Sequence, residues 1–264
     1  MIKLIAGPCV IEDFDTTYLI AKKLKEISSF YHIEIIFKAS FDKANRTSIK
    51  SFRGPGLARG LEILSVIKKD FNFEILTDVH EQNQIADVAK TADIIQIPAF
   101  LSRQTDLIVS AAKTGKTINI KKGQFMAPWD VPHIIEKINS VNNHKILITE
   151  RGTSFGYGRL VVDMTSIYEL KLLGYPVVFD ATHSVQLPGM MSSSSGGNPK
   201  YIKTLTKAAI ASGADIIFME THLDPKSALS DGKNMIQIDE LFDFVPELLR
   251  ISKVVKNDSS KSEK

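Results

Sequence analysis

Three cations, Lys38, Lys43 and Arg46, stand close together with Ser40, Asn45 and Thr47 between them. A guanidinium offers a planar fork that matches phosphate, and an ammonium offers a point charge. Short hydroxyl and amide side chains can add hydrogen bonds around them. The chemistry this mixture suits is the holding of anions. Charged loops are also commonly just solvated surface, so the elements that must position these residues carry the decision.

Those elements recur. Short β-branched or apolar runs are each followed by a stretch with helical spacing. The run Leu4-Ile-Ala6 leads to residues 17–30, and residues 33–39 lead to 57–69. Phe73-Glu-Ile-Leu-Thr-Asp78 leads to residues 81–90, and Asp93-Ile-Ile-Gln-Ile-Pro98 to 105–113. Thr117-Ile-Asn-Ile-Lys121 leads to residues 131–138, and Lys145-Ile-Leu-Ile-Thr-Glu-Arg151 to 164–173. Tyr175-Pro-Val-Val-Phe-Asp180 leads to residues 199–212, and Asp215-Ile-Ile-Phe-Met-Glu220 to 238–251. Eight strand–helix units in a chain of this length predict a parallel sheet closed into a single-domain (β/α)8 TIM barrel. An open doubly wound sheet is disfavoured, because no G-x-G-x-x-G follows the first strand. The barrel is expected over residues 1–252, with a Lys/Ser-rich disordered tail over 253–264. The polar loop 187–199 suggests a lid.

A barrel of this kind builds its active site at the C-terminal ends of the strands. Those ends read Cys9, Lys38, Asp78, Gln96, Lys121, Arg151, His183 and Glu220. The strand period of two puts Asn119 with Lys121, Thr149 with Arg151, and Ala181 with His183 on shared faces. Lys38, Lys121 and Arg151 are then expected to converge on the barrel mouth, enough for two anionic groups. Cys9, His183, Glu220 and Asp231 form a possible metal set, since the first, seventh and eighth strands are neighbours in a closed barrel. A mixed S/N/O donor set suits Fe, Mn, Co or Zn. His222 is a rival to His183 as the nitrogen ligand. A lone cysteine is more often a small buried hydrophobe than a ligand.

Composition narrows the classes. The chain has 264 residues, 44% hydrophobic and 24% charged, with a net charge of +3. Such a weak positive balance, without a basic stripe, argues against nucleic acid. No apolar run is long enough to span a membrane, and the first residues do not read as a signal peptide. The single cysteine excludes an internal disulfide and fits a cytoplasmic setting.

The motifs together resemble the family of 3-deoxy-D-manno-octulosonate 8-phosphate synthases, which join phosphoenolpyruvate to D-arabinose 5-phosphate for the lipopolysaccharide inner-core sugar. The resemblance runs from Ala6 to about Gly232. It rests on Ala6-Gly-Pro-Cys9, residues 37–46, Gly54-Pro-Gly56, residues 97–104, Lys121-Lys-Gly-Gln-Phe125, Glu150-Arg-Gly152, Asp180-Ala-Thr-His183 and Ser230-Asp-Gly232. Lys43-Ala-Asn-Arg46 separates this family from the similar one that uses erythrose 4-phosphate, which has Lys-Pro-Arg-Thr there. Cys9 and Ser230 resemble the metal-dependent branch of the family. The metal-free branch has Asn in place of Cys9 and tends to have Cys in place of Ser230.

The resemblance implies roles for individual residues. Lys38 and Lys43, with Ser40, would hold the phosphoenolpyruvate carboxylate. Lys121 and Arg151, with the backbone near Ala99, would hold its phosphate. Asn45, Arg46 and Thr47 would take the aldose phosphate, and Asp78 and Gln96 would line the cleft. Lys43, Lys121, His183 and Asp231 would take part in the chemistry. Cys9, His183, Glu220 and Asp231 would hold a divalent metal that orients the aldehyde or activates water. The resemblance also implies a homotetramer in which Arg103 reaches the neighbouring subunit's site. The alternatives are the erythrose 4-phosphate synthase, a metal aldolase acting on dihydroxyacetone phosphate, and a sugar-phosphate-binding barrel without catalysis.

Overall fold

The computed structural model describes residues 2–46, 48–155, 158–187 and 196–259. Eight parallel strands form the barrel: β1 (Lys3–Gly7), β2 (Ile35–Lys38), β3 (Glu74–Asp78), β4 (Ile94–Ile97), β5 (Thr117–Lys121), β6 (Ile146–Glu150), β7 (Val177–Asp180) and β8 (Ile216–His222). They neighbour one another in chain order. Pairing of β1 with β8, in the register Gly7↔Glu220, closes the sheet.

The outer layer holds α1 (Phe14–Tyr31), α2 (Leu57–Phe71), α3 (Ile85–Thr91), α4 (Thr105–Ala112), α5 (Pro132–Asn139), α6 (Thr165–Lys171), α7 (Ile202–Ala211) and α8 (Ile238–Ser259). The helix starts and stops follow local chemistry. Asp13 caps α1 by accepting from the Thr16 amide at 2.7 Å. His32 and Asn72 end α1 and α2 in the left-handed conformation. The expected tail is corrected at its start: α8 continues past Lys253 through Val254 and Val255, which extend its apolar spacing. Residues 260–264 lie outside the described residues.

Strand alternation divides the core into two layers. Leu4, Phe37, Ile75, Ile95, Ile118, Ile148, Phe179 and Ile217 face the helices. Ile5, Ile36, Leu76, Ile94, Leu147, Val178, Ile216 and Phe218 fill the barrel interior. Two residues beyond an interior apolar side chain comes a polar one: Lys38 after Ile36, Asp78 after Leu76, Gln96 after Ile94, Asp180 after Val178, and Glu220 after Phe218. The period of two therefore turns a greasy plug into a charged mouth within one pleat.

On β7 the expectation fails. The strand stops at Asp180, and His183 lies in a single 3-10 turn, His183–Val185. The inward pair is Val178 and Asp180, and Ala181 packs in the outer layer. The Asp180 carboxylate accepts from the His183 amide at 2.9 Å, which ends the strand by turning the chain.

One glycine makes the mouth possible. Gly7 has φ +155°, and a Cβ there would lie 2.0 Å from the Lys38 carbonyl oxygen. The close approach lets Ile11 N–H reach the Ser40 carbonyl at 2.9 Å, tying the Cys9 turn to the end of β2. Gly7→Ala should destabilise the protein by about 2–3 kcal/mol. Urea unfolding checks this, and a loss below about 0.5 kcal/mol, the range of an innocuous surface change, would contradict the close-packing argument.

Candidate active site at the barrel mouth

A cleft of about 1150 Å³ opens at the C-terminal ends of the strands. Its lining includes Lys38, Lys43, Asn45, Arg46, Asp78, Gln96, Ala99, Lys121, Arg151, His183 and Asp231. Most of the sequence-derived residues therefore share one space. Thr47 lies outside the described residues, as does most of the expected lid, residues 188–195. Arg103 is exposed and away from this cleft, with its carbonyl accepting from Lys137 at 2.9 Å.

The cations do not stand alone. Lys38 is fully buried, and its ammonium donates to Glu220 Oε1 at 2.7 Å and to the Cys9 carbonyl at 2.8 Å. Lys121 Nζ lies 2.6 Å from Asp180 Oδ2 and 4.2 Å from the centre of the Phe218 ring. Burial pulls the Lys121 pKa down, partly offset by Asp180 and Glu220. Burial alone would lower the Lys43 pKa too, but Cys9, Glu220, Asp78 and Asp231 around it push it up. Arg151 donates through Nη2 to Gln186 Oε1 at 2.7 Å, while its buried Nε and Nη1 make no hydrogen bond. Arg46 Nη2 is likewise buried without a hydrogen-bond partner, Nε being used on the Phe52 carbonyl. Two guanidinium groups in one cleft thus have donors to spare, and charge-assisted donors of this kind suit anions.

Asp78 anchors the near wall. Ser40 Oγ donates to its Oδ1, and His80 Nε2 lies 3.2 Å from its Oδ2. Burial alone would raise the Asp78 pKa. The His80 hydrogen bond and the charges of Lys43 and Lys38 instead hold it well below the usual carboxylate range.

The expected metal set comes together on three of its members. Ligand atoms of Cys9, Glu220 and Asp231 lie within 4.8 Å of one another. Cys9 Sγ is 3.2 Å from Asp231 Oδ2 and 3.0 Å from Ser230 Oγ. His183 stands at the edge, its Nε2 3.6 Å from Glu220 Oε2. Its Nδ1 lies 2.9 Å from Asp180 Oδ2. With Nδ1–H on Asp180, Nε2 is left free on the side of Glu220, the arrangement in which a carboxylate orients a metal-binding imidazole. Glu220 Oε2 is buried and makes no hydrogen bond. Two carboxylates packed on a thiol with one oxygen left unsatisfied fit a divalent cation. Asp231 adopts φ +50°, and this left-handed conformation brings the loop after β8 back over the mouth. His222, the rival ligand, points elsewhere: its Nδ1 lies 2.7 Å from the Asp224 carbonyl and its Nε2 3.7 Å from Glu12.

Asp180 is the residue the strand-end reading left out. It is fully buried beneath both Lys121 and His183, and burial would raise its pKa. His183 and Lys121 instead hold it well below the usual range. Its position two residues after Val178 was the available signal.

Comparison with known proteins fits this geometry. A family model described as the DAHP synthetase I family matches residues 1–257. The chain belongs to that family. Among curated relatives, a protein of Trichlorobacter lovleyi is 52% identical over 256 residues, covering 97% of this chain and 94% of its own. One of Fusobacterium nucleatum is 51% identical over 253 residues, covering 96% and 91%. One of Geobacter sulfurreducens is 49% identical over 253 residues, covering 96% and 93%. All three are named 2-dehydro-3-deoxyphosphooctonate aldolase.

Two predictions follow from the geometry. Because the folded Asp78 pKa is depressed, its stabilising contribution is present above about pH 4, the ordinary carboxylate value. It is lost as pH falls through the folded value. Asp78→Asn should therefore cost more stability at pH 6 than at pH 3 in urea titrations, and an equal cost at both would contradict the charge argument. Cobalt(II) added to the chain should give a near-ultraviolet thiolate charge-transfer band that Cys9→Ala abolishes. A band that survives the substitution would remove Cys9 from the ligand set.

Proposed function

We propose that this barrel, over residues 1–252, condenses phosphoenolpyruvate with D-arabinose 5-phosphate and water. The products are 3-deoxy-D-manno-octulosonate 8-phosphate and inorganic phosphate, the former for the lipopolysaccharide inner-core sugar. One observation carries the proposal: a single cleft collects Lys38, Lys43, Asn45, Arg46, Lys121 and Arg151. Two phosphate esters and a carboxylate need that many donors. The names of relatives near 50% identity agree, and they give no support to the erythrose 4-phosphate alternative.

In the reaction, C3 of phosphoenolpyruvate bonds to the aldehyde carbon, whose oxygen takes up a proton. Water adds at C2, and the C2–O bond to phosphate breaks to release inorganic phosphate and leave the ketone. Lys121 and Arg151, near the backbone of Ala99, take the phosphoenolpyruvate phosphate, and Lys38, Lys43 and Ser40 take its carboxylate. Asn45, Arg46 and Thr47 take the aldose phosphate, with Asp78 and Gln96 lining the space between. Holding both polyanions in one water-poor mouth supplies the proximity the bond needs. Lys43, kept charged by Cys9 and the carboxylates around it, places a fixed positive charge that suits the negative charge developing on the aldehyde oxygen. Glu220 and Asp231 place negative charge where positive charge develops at C2.

Cys9, His183, Glu220 and Asp231 would hold a divalent metal of the Fe, Mn, Co or Zn type. Such an ion supplies Lewis acidity toward the substrate oxygens. Asp180 holds the His183 ring in register for that set. The family resemblance supports a homotetramer in which Arg103, exposed in the single chain, reaches a neighbouring subunit's aldose-phosphate site. The single free cysteine supports a cytoplasmic setting. Among the described residues no helix is long and apolar enough to cross a membrane.

With a divalent metal supplied, phosphoenolpyruvate should be consumed with arabinose 5-phosphate at least about tenfold faster than with erythrose 4-phosphate, a difference of about 1.4 kcal/mol in transition-state binding. Preference for the four-carbon sugar would overturn the substrate assignment. No consumption with either would favour a binding barrel. Exhaustive chelation should abolish turnover, and full activity in a verified metal-free preparation would contradict the metal assignment.

A further inference from the structure

Directly behind the mouth lies a second lysine that does not line the cleft. Lys122 is fully buried, its side chain turned away from the barrel interior that Lys121 enters. Its ammonium donates to the Met126 carbonyl at 3.0 Å and to Thr153 Oγ1 at 3.1 Å. It lies 3.6 Å from Glu150 Oε1. Glu150 in turn has no place in the cleft lining, and it is buried too. Its Oε1 accepts from the Arg151 amide at 2.9 Å and the Gly152 amide at 2.6 Å. Its Oε2 accepts from Ser166 Oγ at 3.0 Å.

The pair sits where two loops meet. Residues 123–126 follow Lys121 and Lys122 at the end of β5, and residues 151–155 follow Glu150 at the end of β6. Lys122 N–H continues the sheet to the Thr149 carbonyl at 2.9 Å, and Ser154 N–H reaches the Gln124 carbonyl at 2.8 Å. The Lys122 ammonium then bridges a carbonyl of the first loop and a hydroxyl of the second. The Glu150 carboxylate holds the backbone of the residue whose guanidinium faces the cleft. A buried charge left unpaired is costly, and a bridge of this kind tolerates little change of spacing. Burial pulls the Lys122 pKa down, and Glu150 partly restores it.

We propose that Lys122 and Glu150 are positioning residues that fix Lys121 and Arg151 relative to one another, and thereby set the affinity of the site for the phosphate of phosphoenolpyruvate. This rests on the reading that Lys121 and Arg151 hold that phosphate. Substrate misplacement of about 1 Å costs on the order of a hundredfold, so the pair's effect should be large at one substrate and small at the other.

The test uses the full chain with metal supplied and compares Lys122→Met, Glu150→Gln and Thr153→Val with the unaltered protein. Glu150→Gln keeps an acceptor for the Arg151 and Gly152 amides, and Thr153→Val removes only one partner of Lys122 at the half-buried rim, so these variants remain informative should Lys122→Met not fold. The expected result is a KM for phosphoenolpyruvate raised about 10- to 100-fold in Lys122→Met, and by lesser factors in the other two. The KM for the aldose phosphate should move less than about threefold. Calorimetric binding of phosphoenolpyruvate should weaken in parallel. Variants that lose thermal stability but keep the phosphoenolpyruvate KM within twofold would overturn the proposal and leave the pair a purely structural one. Equal rises in both KM values would overturn it as well. Arg151→Ala is the separate control: if it leaves phosphoenolpyruvate binding intact, the underlying phosphate assignment fails, whatever the Lys122 variants do.

Discussion

The removal of charge from water at the barrel mouth governs the rest of the structure. Lys38, Lys121, Asp180 and Glu220 are all nearly or wholly buried. Each would be costly there alone. The fold answers by pairing them across strands: Lys38 from β2 with Glu220 from β8, and Lys121 from β5 with Asp180 from β7. Buried pairs of this sort add little net stability over apolar replacements, and their value lies in geometry. They oblige strands far apart in sequence to end at one level, which a closed barrel alone provides.

The same constraint explains why the site is prepared for anions. The carboxylates occupy one face of each lysine, and the Phe218 ring supports both ammonium groups from below. Nε and Nη1 of Arg151 and Nη2 of Arg46 are not consumed by internal partners. A charge-assisted donor already desolvated and held in place gives a phosphate more than a donor in water would. On the opposite side, Cys9, Glu220 and Asp231 concentrate acceptors on a thiol. The mouth therefore carries spare guanidinium donors after β2 and β6, and a separate cluster of acceptors where β1 meets β8. Two anionic substrates and one divalent ion fit that division.

Much of this was legible in the sequence because strand alternation is a strict rule. Lys38, Asp78, Gln96, Lys121 and Glu220 were readable as the last inward residues of apolar runs, and all of them reach the mouth. Where the rule ends, so did the reading. On β7 the chain turns at Asp180, so His183 arrives by a 3-10 turn and not by strand parity. The expected Ala181–His183 face does not exist. Asp231 comes from a long loop whose path depends on a left-handed backbone, a feature that no periodicity encodes. Lys122 and Glu150 stand in sequence only as members of the Lys121–Phe125 and Glu150–Gly152 motifs, with no role of their own. Only the stitching of two loops reveals them as buried. The exposed Arg103 has its partner, on the resemblance, in another subunit, which one chain does not contain.

The central claim is that the free faces of the paired cations receive phosphoenolpyruvate. Its most direct test is a crystal structure of the protein with phosphoenolpyruvate bound. The account predicts the phosphate within hydrogen-bonding distance of Lys121 Nζ and of Arg151 Nε or Nη1, and the carboxylate on Lys38 and Lys43. The Lys121–Asp180 pair should remain intact beneath it. Phosphoenolpyruvate seated elsewhere in the cleft, with Arg151 still directed only at Gln186, would contradict it.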